Sequence, residues 1–327
     1  MCSVFAATQA ADVKTYLVTT VEKMDAASAD FVVNAEAYAA LIQKYGGDYA
    51  AAYKAEPREI DSLITRMQGN YKAMDSFGYE TVEGIVAGVD GFVDYDIYLD
   101  AGVPASEGPD GVSPLVLTLA DGSKIDREGA SFTYIIEPAL WAGNKRWTVE
   151  VDRDGDGNKN AKEALPRAEV LVAVALDTRA KIAQLLADAK DWNATTADCF
   201  GAMIAMTPTL SDYFEDWKES RYGDAASGRF QAVSRLSDMR GIMQSCAVMY
   251  GAVKGEIAQK DKALAKSVDQ GFIEILAFLD VLEAREKENK ITASEIDELA
   301  DQAKGKTDKI VPQIEQGAAI LGVKTSG

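Results

Sequence analysis

A long series of apolar residues at helical spacing most constrains how this chain can fold. From Val13 to Tyr45, apolar side chains recur at steps of three and four residues, which is the period of one helix face. A second series begins near Pro57, whose fixed φ suits a first helical turn. After Pro166 nearly the whole sequence has helical period. The sequence therefore predicts an all-α, bilobed fold built from two antiparallel helical bundles.

The C-terminal half has well-marked helix ends. We predict helices over residues 166–189, 196–222, 227–259, 261–288, 292–303 and 306–321. Pro208 must break or kink the second of these, because proline removes a backbone donor and clashes with the preceding turn. Thr292 and Glu295 have the spacing of a capping box, which marks the start of the fifth.

The middle of the chain loses the helical period in favour of Gly, Pro and Asp. Residues 115–119 and 123–126 there predict a β-hairpin. We divide the chain accordingly into a flexible N-terminal segment (1–11), an N-terminal helical lobe (12–145) with an irregular insertion at 92–129, a cation-binding loop (146–165) and a C-terminal helical lobe (166–323).

That loop contains the ligand spacing of an EF-hand calcium site. Oxygen ligands fall at loop positions 1, 3, 5, 7, 9 and 12, with a glycine at position 6 for the sharp turn. The ligands are Asp152, Asp154, Asp156, Asn158 (through its carbonyl), Asn160 and Glu163, and the glycine is Gly157. Residues 147–151 alternate like a strand, and Lys159 occupies the position where paired loops carry an apolar residue. We predict a solitary EF-hand-like calcium loop, with an acidic turn that binds nothing as the alternative.

Charge and composition exclude several classes of function. The chain has 34 basic and 52 acidic residues, a net charge of -18, so nucleic acid and anionic membrane surfaces are repelled. It has no histidine, which removes the usual general base and the usual nitrogen ligand of zinc. Cations, basic molecules and neutral sugars remain as partners.

The cysteines indicate no zinc site, because none of them form a ligand-spaced pair. Cys199 and Cys246 fall in predicted helices as small core residues, with a disulfide between them as the alternative. Cys2 follows Met1 directly, as in a mature segment whose targeting peptide has been replaced by Met, and it would suit a lipid anchor. An ordinary N-terminus is the other interpretation. We expect no transmembrane segment and an exported protein, periplasmic or at the cell surface.

Two short motifs carry a family resemblance. Residues 132–137, followed by Leu140 and Trp141, resemble a Gly-x-His-x-x-Glu motif with its aliphatic-Trp pair, with Phe132 at the Gly position, Tyr134 at the His position and Glu137 at the Glu position. Upstream, residues 79–83 repeat a Tyr-Glu-x-x-Glu pattern, and residues 212–222 and 232–238 resemble a C-terminal bundle of the same family. The chain thus resembles the imelysin-like family, which includes periplasmic iron-uptake proteins of the EfeO type, alginate-binding proteins and homologues of an insulin-cleaving membrane protease.

The resemblance implies a second candidate metal site between the lobes. Its residues would be Glu80, Glu83, Tyr134 and Glu137, whose carboxylate and phenol oxygens suit iron(III), calcium or magnesium better than zinc. The alternative is that these glutamates are solvated or pair with Lys145, Arg146 or Arg221.

These features favour a non-enzymatic, exported binding protein of the imelysin-like type. It would hold calcium in the 152–163 loop and present an acidic site to iron, another cation or a glycan. One alternative is a metallopeptidase of the imelysin type with Glu137 as base. The other is a structural or adhesion module.

Overall fold

A computed structural model describes residues 2–104, 116–127, 129–222 and 230–324, with side chains from residue 12 onward. Its α-helices are α1 (Cys2–Lys44), α2 (Tyr49–Ala55), α3 (Pro57–Met74), α4 (Glu83–Val86), α5 (Val93–Asp96), α6 (Glu137–Leu140), α7 (Ala168–Asp191), α8 (Thr196–Met206), α9 (Tyr213–Tyr222), α10 (Arg235–Lys260), α11 (Lys262–Lys287) and α12 (Ala293–Leu321). Short 3-10 turns lie at Tyr79–Thr81, Ala161–Glu163 and Pro208–Ser211, and π-helical turns at Ile97–Ala101 and Phe132–Ile136. The described residues are therefore mostly helical, and the all-α prediction is confirmed.

Two small antiparallel sheets interrupt the helices. Strands β1 (Val116–Thr118) and β2 (Lys124–Asp126) pair with Leu117 opposite Ile125, so the predicted hairpin is confirmed. Strands β3 (Thr148–Val149) and β4 (Leu165–Pro166) pair around the base of the 152–163 loop. The strand predicted before that loop is therefore present, and the two ends of the loop are held side by side by this pairing.

The core is organised along α1. Its buried face, which includes Leu17, Met24 and Phe31, packs against α3, α7 and α10. The hydroxyl of Tyr38 on the same face donates to the carbonyl oxygen of Pro166 at 2.8 Å, which joins α1 to the end of β4. A single helix thus contacts both early and late parts of the chain, and burial of its apolar face is the main source of its stability.

Several boundaries differ from the predictions. Helix α1 begins at Cys2, so residues 2–11 of the segment assigned as flexible (1–11) are part of the helix; the alanines there have the highest helix propensity. Helix α2 was missed, and Asp48 caps it by accepting a hydrogen bond from the Ala51 backbone N–H at 3.0 Å. The insertion predicted to be irregular contains α5 and a π-helical turn, which bring two acidic residues, Asp96 and Asp100, into the interior.

In the C-terminal half the predicted break at Pro208 and the capping box of Thr292 and Glu295 are confirmed. The two helices predicted over residues 292–321 are one helix, α12, because its buried stripe continues from Ala303 to Thr307 across Gly305. Helix α10 begins at Arg235 rather than at residue 227; residues 227–229 lie outside the described part of the chain.

Cys199 and Cys246 are both free thiols and both buried, so the alternative of a disulfide between them is wrong. The side chain of Cys2 lies outside the described part of the structure, and the lipid anchor stays a prediction. Among the described residues, no helix has the length and apolar character needed to cross a membrane.

Two glycines allow α10 to approach the 3-10 turn at Tyr79–Thr81, called here the Glu80 turn, and the helix α4 that begins at Glu83. A Cβ placed on Gly241 of α10 would lie 2.6 Å from the carbonyl oxygen of Glu80. A Cβ on Gly84 would lie 2.9 Å from the carbonyl oxygen of Ile242. Both neighbours are backbone atoms that cannot turn aside, so this close contact requires glycine on each side.

Replacing Gly241 by Ala should therefore push α10 away from the Glu80 turn. Such overpacking typically costs about 1–3 kcal/mol, to be read from the urea midpoint. The matched control is Gly251→Ala in the same helix, where nothing lies within 4 Å of the added Cβ. That change should raise stability by about 0.5–1 kcal/mol, because alanine loses less backbone entropy. Equal effects of the two changes would contradict the close approach.

Candidate metal centre

A small cavity lies where the Glu80 turn, α3, the two π-helical turns and the start of α10 meet. Its volume is about 10 Å³, which is space for roughly one water molecule or one ion. The lining is mostly polar and comes from positions far apart in the sequence: Tyr71, Asp75, Ser76, Glu80, Asp100, Thr133, Glu137, Phe230, Val233 and Asp238. A chamber of this size excludes any polyatomic substrate but accepts a bare cation.

Local structure places each acid at the cavity. Asp75 follows the last turn of α3, and Glu80 lies in the 3-10 turn against which α10 packs closely. Asp100 and Thr133 lie on the two π-helical turns, a rare conformation that concentrates at functional sites. The Thr133 hydroxyl is 2.6 Å from Asp100 Oδ1, which fixes the orientation of that carboxylate.

Three of the carboxylates are close enough to share one ion. One oxygen from each of Asp75, Glu80 and Asp100 lies within 4.8 Å of the other two. Ligand oxygens on opposite sides of a cation are roughly 4 to 5 Å apart when each metal–oxygen bond is about 2.0–2.6 Å. The spacing is therefore that of a single coordination sphere.

Several oxygens at this place have no hydrogen-bond partner among the described residues. With every carboxyl ionised they are Asp75 Oδ1, Glu80 Oε2, Glu83 Oε2 and Asp238 Oδ1, and a proton on Glu80 would let it donate a hydrogen bond to Glu83. Each of these four side chains is at least nine-tenths buried. A buried polar atom without a partner is costly, and a buried charge more so, which makes each such atom a group in need of a ligand.

Arg235 supplies part of the compensating charge. Its guanidinium is 3.3 Å from Asp238 and 3.7 Å from Glu80, and it lies between the rings of Tyr213 and Phe230. The buried carboxyl groups around it nevertheless outnumber it: Asp75, Glu80, Glu83, Asp96, Asp100, Glu137 and Asp238. An added cation would offset more of this charge, with some of the remaining carboxyls kept neutral by protons.

Burial raises the pKa of most of these carboxyls. It raises the pKa of Glu83 to about 8 and the pKa values of Asp96 and Asp238 to about 7. Burial, with the neighbouring carboxylates second, also raises the pKa values of Glu80 and Asp75 well above their ordinary range. Without a cation, the cluster holds protons near neutral pH.

Glu137 differs from the others because both of its oxygens accept backbone hydrogen bonds. It accepts hydrogen bonds from the backbone N–H groups of Phe230, Gln231 and Ala232 at 2.6, 2.7 and 2.8 Å. Burial raises its pKa to about 7, although these three donors act in the opposite direction.

The structure brings together some of the residues predicted for the second site. Glu80 and Glu137 line the cavity, and Glu83 lies behind Glu80, where it accepts a hydrogen bond from Tyr213 at 2.9 Å. Tyr134 is not among the lining residues: its ring packs against Gly129, and its backbone carbonyl accepts from the Trp147 indole at 2.8 Å. The adjacent Thr133 reaches the cavity instead.

These glutamates are neither solvated nor paired with Lys145, Arg146 or Arg221, so that alternative is wrong as it was stated. Glu80, Glu83 and Glu137 are each 2% exposed. Lys145 pairs with Glu150 and Arg221 with Glu286, and Arg146 donates to the carbonyl oxygen of Asp126. The cation that Glu80 does meet is Arg235.

Sequence reasoning missed Asp75, Asp96, Asp100 and Asp238. Asp96 and Asp100 are four residues apart on adjoining helical turns, but no spacing along the chain joins them to Asp75 or Asp238. One signal was present for Asp238, which stands three residues after Arg235 and shares its helix face.

No family model matches this chain, and no curated protein matches it either. The imelysin-like resemblance therefore rests on the motifs quoted above.

The 152–163 loop is compact and exposed. Asp152 accepts hydrogen bonds from the backbone N–H groups of Gly155 at 2.8 Å and Gly157 at 3.0 Å. Both glycines have positive φ, +81° and +88°, which a side chain would oppose. Oxygens of Asp152, Asp154 and Asp156 lie within 4.8 Å of one another.

The second half of the loop has a different form from that of a helix-loop-helix unit. Asn160 caps the 3-10 turn at Ala161–Glu163 by accepting from the Lys162 N–H at 3.0 Å. Asp156 accepts from the backbone N–H of Asn158 at 2.7 Å. Glu163 is half-buried, and its Oε2 has no partner among the described residues.

The raised pKa values predict how the metal-free protein responds to pH. Folded carboxyls hold protons that the unfolded chain releases, so their contribution to stability is full below an unfolded pKa of about 4.5 and is lost as pH rises through about 7 to 8. Urea unfolding in a chelator should show stability falling between about pH 5 and pH 8.

Glu83→Gln should flatten the upper part of this fall, because a group with pKa about 8 is removed while an oxygen remains for the Tyr213 bond. Glu315→Gln on the exposed face of α12 is the control and should leave the slope unchanged. A stability that rises over the same pH range would contradict the burial of protonated carboxyls.

Proposed function

We propose that this chain is a non-enzymatic cation-binding protein and that the cavity among Asp75, Glu80 and Asp100 is its binding site. The observation that carries the proposal is the set of buried carboxylate oxygens without partners, together with the ligand spacing of these three residues. A cation would satisfy the free oxygens of Asp75 and Glu80 and offset part of the repulsion among the surrounding acids.

The donor set favours a hard cation. Every candidate ligand is an oxygen, from carboxylates, the Thr133 hydroxyl or the Tyr71 hydroxyl at the cavity wall. Such oxygens suit calcium, magnesium, manganese and iron(III), and no histidine or cysteine stands among the lining residues to favour zinc or copper. A cavity of about 10 Å³ also favours a bare ion over a glycan.

Binding is favoured over hydrolysis by the state of Glu137. A metallopeptidase would need this residue as a base beside a metal-bound water. Its carboxylate instead accepts three backbone hydrogen bonds, and the enclosed cavity has no room for a peptide. We therefore assign the cavity to binding.

The location of the cavity agrees with an exported imelysin-like protein. It lies where the Tyr71–Glu137 half of the lining meets residues 230–238, the place where a bilobed arrangement would have its interlobe site. Membership in that family, a periplasmic or cell-surface location with a lipid anchor at Cys2, and a role in iron uptake are parts of this proposal.

We further propose that the 152–163 loop binds calcium as a structural ion. Its support is the convergence of Asp152, Asp154 and Asp156 and the buried, unpartnered Oε2 of Glu163. The ion would hold the exposed end of the loop, whose base is already closed by β3 and β4.

Equilibrium dialysis separates the two sites. Metal-stripped protein, dialysed against calcium, manganese or iron(III) and read by elemental analysis, should bind one ion in the cavity and one in the loop. Asp100→Asn keeps an oxygen for Thr133 but removes a charge, so it should weaken the cavity site at least about tenfold, or about 1.4 kcal/mol.

Asp152→Ala should remove the loop ion alone, and the double variant should bind neither ion. Asp301→Asn on the exposed face of α12 is the control and should bind as the parent does. An Asp100→Asn protein that keeps both ions with unchanged affinity would refute the cavity as the site.

Calcium should also stabilise the protein through the loop. An ion that binds only the folded state at a hundredfold excess over Kd adds about 2.7 kcal/mol to the free energy of unfolding. Asp152→Ala or Glu163→Gln should abolish the part of the calcium-dependent rise in Tm that the loop supplies, measured in the Asp100→Asn background. Lys159→Arg changes a non-ligand loop residue and should retain that rise. If calcium leaves the Tm of the Asp100→Asn protein unchanged, the loop is only an acidic turn.

A further inference from the structure

Glu137 uses three of the roughly four acceptor sites of its carboxylate for backbone N–H groups. Both of its oxygens are used: Oε2 accepts from Phe230, and Oε1 accepts from Gln231 and Ala232. Three consecutive backbone N–H groups around one carboxylate form an anion cradle, and hydrogen bonds to a charged acceptor are stronger than neutral ones. The contact joins positions more than ninety residues apart in the chain.

The residues that hold Glu137 also form one wall of the cavity. Phe230 and Val233 line it, and Ser234 then caps α10, which carries Arg235 and Asp238. The other lining residues lie on helical elements or on the tight turn after α3. Apart from that tight turn, segment 230–233 is the part of the described wall that can move without unwinding a helix.

The conformation of this segment also depends on Glu137. Phe230 has φ +55°, in the left-handed region that costs a non-glycine residue free energy. It is held there by the N–H bond to Glu137 and by its ring against the guanidinium of Arg235 at 4.5 Å. Without the Glu137 carboxylate, Phe230 would keep only the contact with Arg235, and its backbone would relax from the left-handed conformation.

An ion cannot reach the proposed ligands unless some wall opens. Asp75, Glu80 and Asp100 are 6%, 2% and 7% exposed, and the cavity holds about one water-sized sphere. Enclosure of this kind makes cation exchange slow, because the ion can pass only when part of the wall opens locally. Such opening occurs in the least stable part of a structure.

We infer that Glu137 is a positioning residue that latches segment 230–233 over the cavity and thereby sets the rate at which the cation enters and leaves. The inference rests on the proposed function. It assigns Glu137 no bond to the ion, so its loss changes the speed of exchange more than the affinity.

Terbium(III), a hard cation whose emission is sensitised by a nearby tyrosine, provides the probe, and Tyr71 lines the cavity. All proteins carry Asp152→Ala so that the loop does not contribute. In Glu137→Gln the amide oxygen can take the place of only one carboxylate oxygen. The NH2 group takes the place of the other and faces a backbone N–H donor, so the latch weakens. Terbium release into excess EDTA should accelerate at least about tenfold, and association should accelerate similarly, with Kd changing by less.

Amide hydrogen exchange reads the latch independently of any ion. The N–H groups of Phe230, Gln231 and Ala232 should lose protection in Glu137→Gln, while those in the middle of α10 keep theirs. Glu286→Gln is the matched control, since that buried carboxylate accepts from the Trp217 indole away from the cavity and should alter neither readout. Should Glu137→Gln fail to fold, Glu137→Asp tests the same point, because the shorter side chain cannot reach all three donors.

Each outcome distinguishes the two proposals. Faster terbium exchange with a nearly constant Kd, together with lost amide protection, supports the latch. Lost amide protection with an unchanged rate of terbium exchange overturns it, because the ion then passes through another part of the wall. A large rise in Kd without faster association also overturns it, because Glu137 would then be a ligand. If the Asp152→Ala protein binds no terbium at all, the proposed cavity site itself is refuted.

Discussion

The burial of like charges around Glu80 is the constraint on which the rest of this structure depends. Carboxylates that meet in a dry interior repel one another and lose hydration, and each of these costs is several times larger there than at a surface. Arg235 offsets only part of this free-energy cost. Two states of the cluster would offset the rest: one in which carboxyls are protonated, as the raised pKa values describe, and one in which a cation is bound. Protons and a cation therefore compete for the same oxygens, and loading the site at neutral pH would release protons.

The helical frame supplies the rigidity that such a cluster needs. Gly241 and Gly84 let α10 contact the Glu80 turn at backbone distance, so the turn cannot rotate its carboxylates toward solvent without breaking that contact. The hydroxyl of Thr133 orients Asp100, and that of Tyr213 orients Glu83. The acids are thus held in place by packing and hydrogen bonds that do not require the ion, which is the condition for a preformed site.

Periodicity and stop signals predicted the larger part of the fold, and they failed where tertiary contacts decide. The period from Val13 identifies α1, and Pro208 and Thr292 mark real boundaries, because proline and capping geometry act locally. The motifs that carry the imelysin-like resemblance also pointed to Glu80 and Glu137. It could not join Asp75, Asp100 and Asp238, whose meeting depends on π-helical turns and on a helix that arrives more than a hundred residues later. The shift from Tyr134 to Thr133 follows from the same π-helical turn, which changes the face that each residue presents.

Helix α3 connects the two candidate cation sites and keeps them separate. Arg153 of the loop pairs with Asp61 near the start of α3 at 2.7 Å, and Asp75 follows its end. Fourteen residues at 1.5 Å each place these ends about 21 Å apart. That separation is more than twice the Debye length of about 8 Å at physiological salt, and the loop is exposed, so the charge of one ion is largely screened at the other. Any influence of loop calcium on the cavity must therefore pass through the position of α3, by way of Arg153 and the β3–β4 pairing. Since α3 is already fixed against α1 by its buried face, the effects of the two ions on stability should add.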